Sequence, residues 1–272
     1  MRLRVIDAFT DRPFAGNPAA VCLLDGPRWP DEVWMQQVAA EMNLAETAFA
    51  LPETNGQADW RLRWFTPAVE VALCGHATLA TAHALRADGL LTGTVRFATR
   101  SGVLTAEAAD DGTITLDFPA ATITPIDPPE GLADALGATV VATFRTGSLG
   151  DLLTELADES VVRGVTPDFS RVGTLRYRGI IVTAAGSGGY DYVSRFFGPA
   201  VGVPEDPVTG SAHTALAPFW SSRLGREDLV GLQVSARSGV IETRLRGERV
   251  LLTGRAVTTL EATLLPTPAL AP

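Results

Sequence analysis

Short stretches of alternating apolar and polar positions, rich in β-branched and aromatic side chains, predict strands over residues 2–9, 19–24, 47–51 and 60–65. Between the second and third of these, residues 30–43 have helical spacing. Val33, Val38 and Met42 fall near one face, and a proline stands at the start. Residues 75–85 break both patterns: they are small or apolar on nearly every face, as a helix buried all round must be. Strands follow at 94–99, 103–108 and 113–118. The remainder predicts a strand at 140–146, a short helix opened by Thr166-Pro167, and strands at 179–183 and 191–197. A second small-residue run over 210–224 comes next, with strands after Leu232. The two runs stop near Gly89 and Gly225, as helices do. Pro218 predicts a distortion or an early break in the second.

The order of elements in the two parts is alike, and so are the residues. Arg63-Trp64-Phe65-Thr66-Pro67-Ala68-Val69-Glu70-Val71 aligns with Arg195-Phe196-Phe197-Gly198-Pro199-Ala200-Val201-Gly202-Val203, and in the same frame Asp59-Trp60 meets Asp191-Tyr192. Gly75 then meets Gly210, and Arg100-Ser101-Gly102-Val103 meets Arg237-Ser238-Gly239-Val240. Ordered matches of this kind mean duplication. The predicted architecture is α/β: two halves related by a pseudo-two-fold, each a curved, mostly antiparallel sheet wrapped around a central helix. The halves are expected at 1–118 and 132–265, joined by the proline-rich linker 119–131 and followed by a loose tail, 266–272. A cleft between similar halves is the natural place for a ligand.

Composition narrows the partners. A hydrophobic fraction of 46% over 272 residues can build a core in each half. The net charge of −9, from 22 basic and 31 acidic residues, argues against nucleic acid and acidic membranes, which select basic surfaces. It leaves room for a small anion at a local site. No apolar run approaches membrane-spanning length, and the start at Arg2-Leu3-Arg4 has no signal-peptide core. Cys22 and Cys74 form no close-spaced metal motif, so free thiols in a cytoplasmic protein are expected.

Candidate chemistry gathers where the central helices begin, at Gly75-His76 and Gly210-Ser211. A helix start presents unpaired N–H groups and partial positive charge, suited to a carboxylate or a developing enolate. Just upstream of the second helix, Asp206 lies between Pro204 and Pro207 in a rigid loop; Glu46 stands between the amphipathic helix and an apolar strand. Each acid taken alone reads equally as an exposed turn or strand-start residue. His83 lies about two turns beyond His76, but third and fourth metal ligands are not evident, and a packed histidine is the simpler expectation. His213 is expected to point away from the site. Gly186-Ser187-Gly188-Gly189 aligns with the turn at Asn55-Gly56 and predicts a hairpin rather than a phosphate loop.

These residues resemble a known family. Asp7-Ala8-Phe9 with Gly16-Asn17-Pro18-Ala19-Ala20-Val21, Asn43-Leu44-Ala45-Glu46-Thr47-Ala48-Phe49, Phe65-Thr66-Pro67 with Cys74-Gly75-His76-Ala77-Thr78, and Glu205-Asp206-Pro207-Val208-Thr209-Gly210-Ser211-Ala212 resemble the phenazine-biosynthesis PhzF-like family, in order along the whole chain. The resemblance implies a diaminopimelate epimerase-like fold. It implies Glu46 as the acid that takes and returns a proton, with His76, Asp206 and Ser211 positioning the substrate and assisting proton movement. Cys74, Gly75, Thr209 and Gly210 are then expected to line the substrate. Neither a metal nor an organic cofactor is implied. Homodimers are common in the family, though no feature of this chain decides the point. The related epimerases use one thiol from each half, whereas here the counterpart of Cys74 is Thr209. That favours a cofactor-independent isomerase moving a proton on a small, carboxylate-bearing substrate, cyclic or not, through one carboxylate. The alternatives are an amino-acid epimerase or racemase using Cys74, and a non-catalytic small-ligand-binding protein.

Overall fold

The computed structural model describes residues 1–54 and 56–265. The tail expected at 266–272 lies outside the described residues, as does Asn55 of the predicted turn. The chain folds as two units, Met1–Asp117 with the segment from Thr253 onward, and Phe118–Leu252.

In the first unit, β1 (Arg2–Ala8) pairs antiparallel with β2 (Asn17–Leu23). The helix α1 (Glu32–Met42) carries the chain across to β3 (Glu46–Pro52), which runs parallel to β2. β4 (Trp60–Phe65) returns antiparallel to β3, and β5 (Glu70–Val71) is a short antiparallel addition to β4. The second crossover, α2 (Gly75–Ala87), leads to β6 (Gly93–Thr99), parallel to β4. β7 (Gly102–Ala108) and β8 (Ile114–Pro119) continue the sheet antiparallel.

The second unit opens with β9 (Thr124–Ile126), α3 (Leu132–Leu136), β10 (Val140–Arg145) and β11 (Leu152–Leu156). It continues through α4 (Glu159–Gly164), α5 (Phe169–Thr174), β12 (Ile180–Ala185), β13 (Tyr192–Gly198) and β14 (Val203–Asp206), then α6 (Gly210–Leu224), β15 (Asp228–Gln233), β16 (Gly239–Arg246) and β17 (Arg249–Gly254). Its pairings repeat those of the first unit one by one. β10 and β11 are antiparallel and β11 and β12 parallel; β12 and β13 are antiparallel, β13 and β15 parallel, and β15 and β16 antiparallel. β14 adds to β13 as β5 adds to β4. The hairpin expected at Gly186–Gly189 joins β12 to β13, with φ of 62° at Gly188 and 97° at Gly189, the region glycine alone enters freely.

The boundaries differ from those expected. β18 (Ala256–Thr263) belongs to the first unit, paired antiparallel along β1 from Arg2↔Thr263 to Ala8↔Ala256. It covers a strand edge that would otherwise present unpaired backbone groups. The predicted linker 119–131 contains β9, which pairs with β10 and belongs to the second unit.

α2 is buried on all sides, from His76 through Leu85 with only His83 partly open. It packs against β1, β2 and β3 from one part of the sheet and against β7 and β18 from others, so the sheet curls about it. Thr78 and Thr81 bury their hydroxyls by donating to the carbonyls of Cys74 and Ala77 at 2.6 and 2.7 Å. α1 is capped as its sequence demands: Asp31 accepts from the N–H groups of Val33 and Trp34. Its buried face is Met35, Val38 and Ala39, while Val33 is 64% exposed, so the predicted stripe is rotated.

α6 runs unbroken through Pro218, against expectation. Proline removes the N–H that would bond the carbonyl of Thr214. That carbonyl instead accepts from the Ala121 N–H at 3.0 Å, so the helix interior leaves no orphaned acceptor there. The apolar side of α6 (Ala212, Ala215, Leu216, Phe219 and Trp220) packs with Leu153, Ile181, Tyr192 and Phe196 from the sheet.

Candidate active site

In the first unit, three element starts bring four polar side chains together. β2 begins at Asn17, preceded by Gly16 at φ +64°; a Cβ at that glycine would lie 2.1 Å from the Ala8 carbonyl oxygen, so only glycine fits. β3 begins at Glu46, in parallel register with Ala19 two residues beyond Asn17. α2 begins at Gly75, with Cys74 at its cap position making no side-chain capping bond. The His76 Nε2 stands 3.1 Å from Glu46 Oε2. This is ion-pair distance, but the oxygen is off the line of a hydrogen bond and, though buried, has no hydrogen-bond partner among the described residues. The Cys74 Sγ lies 3.6 Å from His76 Nδ1 and 4.0 Å from Nε2. The Asn17 side-chain amide holds Nδ1 at 3.2 Å. His76 and Cys74 are 5% and 6% exposed, and Asn17 is fully buried.

Burial sets the protonation of this cluster. It pushes the Cys74 thiol up to about 11, with the negative Glu46 adding to the rise. Burial also opposes charge on His76, but the neighbouring Cys74 and Glu46 outweigh it, and its pKa stands well above the ordinary 6.5. Since Cys74 is a neutral thiol at pH 7, the charge that holds the imidazolium there is the Glu46 carboxylate. An imidazolium donates from both nitrogens, so the Asn17 amide faces Nδ1 with its oxygen in that state.

In the second unit, the start of α6 is built differently. Thr209, at the cap position, donates its hydroxyl to Asp206 Oδ2 at 2.6 Å. Gln233, buried in β15, accepts the Thr209 N–H at 2.9 Å and donates to the Asp206 carbonyl at 2.8 Å and to Thr209 Oγ1 at 3.1 Å. Ser211 is half-buried, and its Oγ accepts from Arg178 Nη2 at 3.0 Å. Arg178 forks onto Asp151, at 2.8 and 2.5 Å, with its guanidinium over the Phe196 ring. Burial lifts the Asp151 carboxyl to about 6 despite Arg178.

The structure thus joins Glu46, Cys74 and His76 in one cluster around the Gly75 helix start. It places Asp206, Thr209 and Ser211 around the Gly210 helix start. Asn17, Arg178, Asp151 and Gln233 were not singled out from the sequence. His83 bonds Thr258 Oγ1 at 3.2 Å and takes no part in the cluster. His213 is buried, its Nδ1 held 2.8 Å from the Thr209 carbonyl, and burial lowers its pKa to about 4. Both cysteines are free. No helix among the described residues is long and apolar enough to cross a membrane.

Comparison with known proteins agrees with this frame. Residues 6–262 match the model of the phenazine biosynthesis-like protein family, PhzC-PhzF. An uncharacterized isomerase of Pseudomonas aeruginosa is 49% identical over 261 residues, covering 95% of this chain and 96% of its own. The crystal structure of a PhzF-family phenazine biosynthesis protein of Enterococcus faecalis superposes with a TM-score of 0.90 at 40% identity, over 97% of this chain and 99% of that one. A probable proline racemase of Agrobacterium radiobacter, at 14% identity and a TM-score of 0.64 over 98% and 93% of the two chains, shares the fold. With the family model spanning nearly the whole chain, this protein belongs to the phenazine biosynthesis-like, or PhzF, family and is an isomerase.

Proposed function

We propose that the protein is a cofactor-independent isomerase that moves a proton on a small, carboxylate-bearing substrate, with Glu46 as the single acid/base. The observation that carries this reading is the Glu46 carboxylate. One of its oxygens is buried, lacks an aligned hydrogen bond, and lies 3.1 Å from an imidazole whose pKa is raised. An oxygen without a donor is ready to accept a proton. The adjacent imidazolium supplies charge to a developing enolate and a proton to its oxygen. His76 acts in this way, while Asp206 and Ser211 position the substrate; Arg178 holds the Ser211 hydroxyl by donating to it, which leaves the hydroxyl proton for a substrate acceptor.

The alternative with Cys74 as a racemase base has less support. A thiol at about 11 is protonated at neutral pH, and Thr209, its counterpart, is committed to Asp206. Solvent deuterium exchange tests the reading. Candidate cyclic amino acids and hydroxy acids are incubated in D₂O with the native protein and with Glu46→Gln, and followed by NMR. The reading expects substrate-dependent exchange and isomerisation that Glu46→Gln abolishes. Exchange that survives in Glu46→Gln and disappears in Cys74→Ser would restore the racemase.

A further inference from the structure

We infer that Glu46, Cys74 and His76 form a binding site for a thiophilic divalent cation, Zn²⁺ above all, at the start of α2. One donor atom from each residue lies within 4.8 Å of the others, and this is the group of metal-capable side chains found among the described residues. The donor set is one sulfur, one imidazole nitrogen and one carboxylate oxygen, each a ligand zinc favours. The spacing fits at the nitrogen–oxygen edge, and the sulfur lies close by. Tetrahedral zinc, with bonds of about 2.3 Å to sulfur and about 2.0 Å to nitrogen and oxygen, holds a nitrogen about 3.3 Å from an oxygen and about 3.6 Å from a sulfur. Here Nε2 is 3.1 Å from Glu46 Oε2 and 4.0 Å from Cys74 Sγ. Closing the donors onto an ion at Nε2 needs small shifts at His76 and Glu46 and a rotation of the Cys74 side chain, because Sγ stands nearer Nδ1 than Nε2.

Two further observations point to a cation rather than to a packed polar cluster. The Glu46 Oε2 is buried beside the other two donors and makes no aligned hydrogen bond, so an ion taking the place of the His76 Nε2 proton would complete its bonding. The other imidazole nitrogen, Nδ1, is held by the Asn17 amide at 3.2 Å, which fixes the ring with Nε2 3.1 Å from Glu46 Oε2. Such a partner is the usual support of a metal-bound histidine. Binding is balanced by protons. Zn²⁺ replaces the thiol proton of Cys74 and the Nε2 proton of the His76 imidazolium, both leaving to solvent, and the Glu46 carboxylate binds as it stands. Three protein ligands leave a fourth position open. The effect on turnover rests on the isomerase reading: a bound ion occupies the oxygen that carries the proton and inhibits the enzyme. The binding itself does not rest on that reading.

Cobalt tests the site without any substrate. The full chain, stripped with chelator, is titrated with Co²⁺ and then with Zn²⁺. The expected result is one equivalent of Co²⁺ with a near-ultraviolet thiolate charge-transfer band and visible bands of tetrahedral cobalt, all lost on displacement by Zn²⁺. Cys74→Ser should lose the charge-transfer band, and Asn17→Ala should weaken binding by about 10–100-fold. Circular dichroism confirms that each variant is folded. Zn²⁺ protection of Cys74 from maleimide at alkaline pH gives a second readout on the unaltered chain. Absence of a charge-transfer band in the native protein, or one equivalent of Zn²⁺ bound equally by native protein and Cys74→Ser with no protection of Cys74, overturns the site. Either result leaves the deuterium-exchange test of Glu46 untouched.

Discussion

Alkylation of Cys74 separates the two roles this thiol could play. If Cys74 were a catalytic base, it would be stored as a thiolate beside the His76 imidazolium, with a pKa near or below neutrality. The structure argues the opposite. Cys74 is almost wholly buried, and the carboxylate of Glu46 adds repulsion, so the thiol stands at about 11 against an ordinary 9.0. At neutral pH this difference of about two units makes the thiolate about 100-fold scarcer than in an ordinary cysteine, before any hindrance from burial. Native protein should be treated with iodoacetamide between pH 6 and 10, and modification at each cysteine followed by peptide mass spectrometry. Cys74 should react at least about 100-fold more slowly than a model thiol at pH 7, and its rate should still be climbing at pH 10.

Two internal comparisons sharpen the result. Cys22, fully buried in β2 and pushed up to about 12 by burial, should be slower again. Glu46→Gln removes the repulsion, so Cys74 should react faster in that variant at every pH below its own pKa. Alkylation of Cys74 at pH 7 as fast as that of a free thiol, on a plateau reached near pH 7, would refute the reasoning. The thiolate–imidazolium pair would then exist, and the racemase would be the better reading.

Once a substrate is found, Glu46→Gln should lower the rate by about 10²–10⁴-fold with the fold intact, and Cys74→Ser should cost far less. Asp151 should make stability depend on pH. Its folded pKa, about 6, lies above the unfolded 3.8, so its contribution is full below 3.8 and is lost as pH rises through 6. The loss is about 3 kcal/mol, and urea unfolding of Asp151→Asn relative to the native chain between pH 4 and 7 should show that slope removed. Gly231→Ala should destabilise by about 1–3 kcal/mol in the same assay, because its Cβ would lie 2.4 Å from the fully buried Tyr192 ring. A neutral result would mean that the ring moves freely.

Much of this was legible because the duplication doubles the signal. The two buried helices declare themselves by having no polar face, and their glycine stops fall where expected, Gly225 at φ 68°. Short or interrupted elements were not legible: β11 is five residues, Leu-Leu-Thr-Glu-Leu, without clear alternation, and β14 lies in the proline-bounded loop that carries Asp206. β18 reads as a strand, but nothing local says that it pairs with β1 at the far end of the sequence. The same holds at the site. The pairing of Asp151 with Arg178 joins positions that no periodic pattern connects. Gln233 left a usable trace, since it falls in the buried phase of β15 with Leu229 and Gly231, where a polar side chain needs a reason. Asn17, buried between Gly16 and Pro18, left a similar one.

The two helix starts show what duplication leaves free to change. The backbone plan is shared down to the parallel crossover that delivers each helix, yet Cys74-Gly75-His76 in one half stands where the other has Thr209-Gly210-Ser211. The consequences follow from the chemistry of the cap residue. Neither cap side chain bonds an N–H of its own helix; the buried thiol lies beside His76, which leaves the first cluster with a coupled acid, thiol and imidazole. A threonine in the same place bonds Asp206 through its hydroxyl and Gln233 through its N–H, and so becomes part of a fixed scaffold. A scaffold can orient a substrate but cannot exchange protons near neutral pH, because an alcohol is far too weak an acid. On the proposed reading, substitution of that one thiol therefore removes the second base of a two-thiol reaction. It leaves Glu46 to deliver and recover the proton alone, which suits a shift between two positions of one substrate better than an exchange of configuration at one carbon.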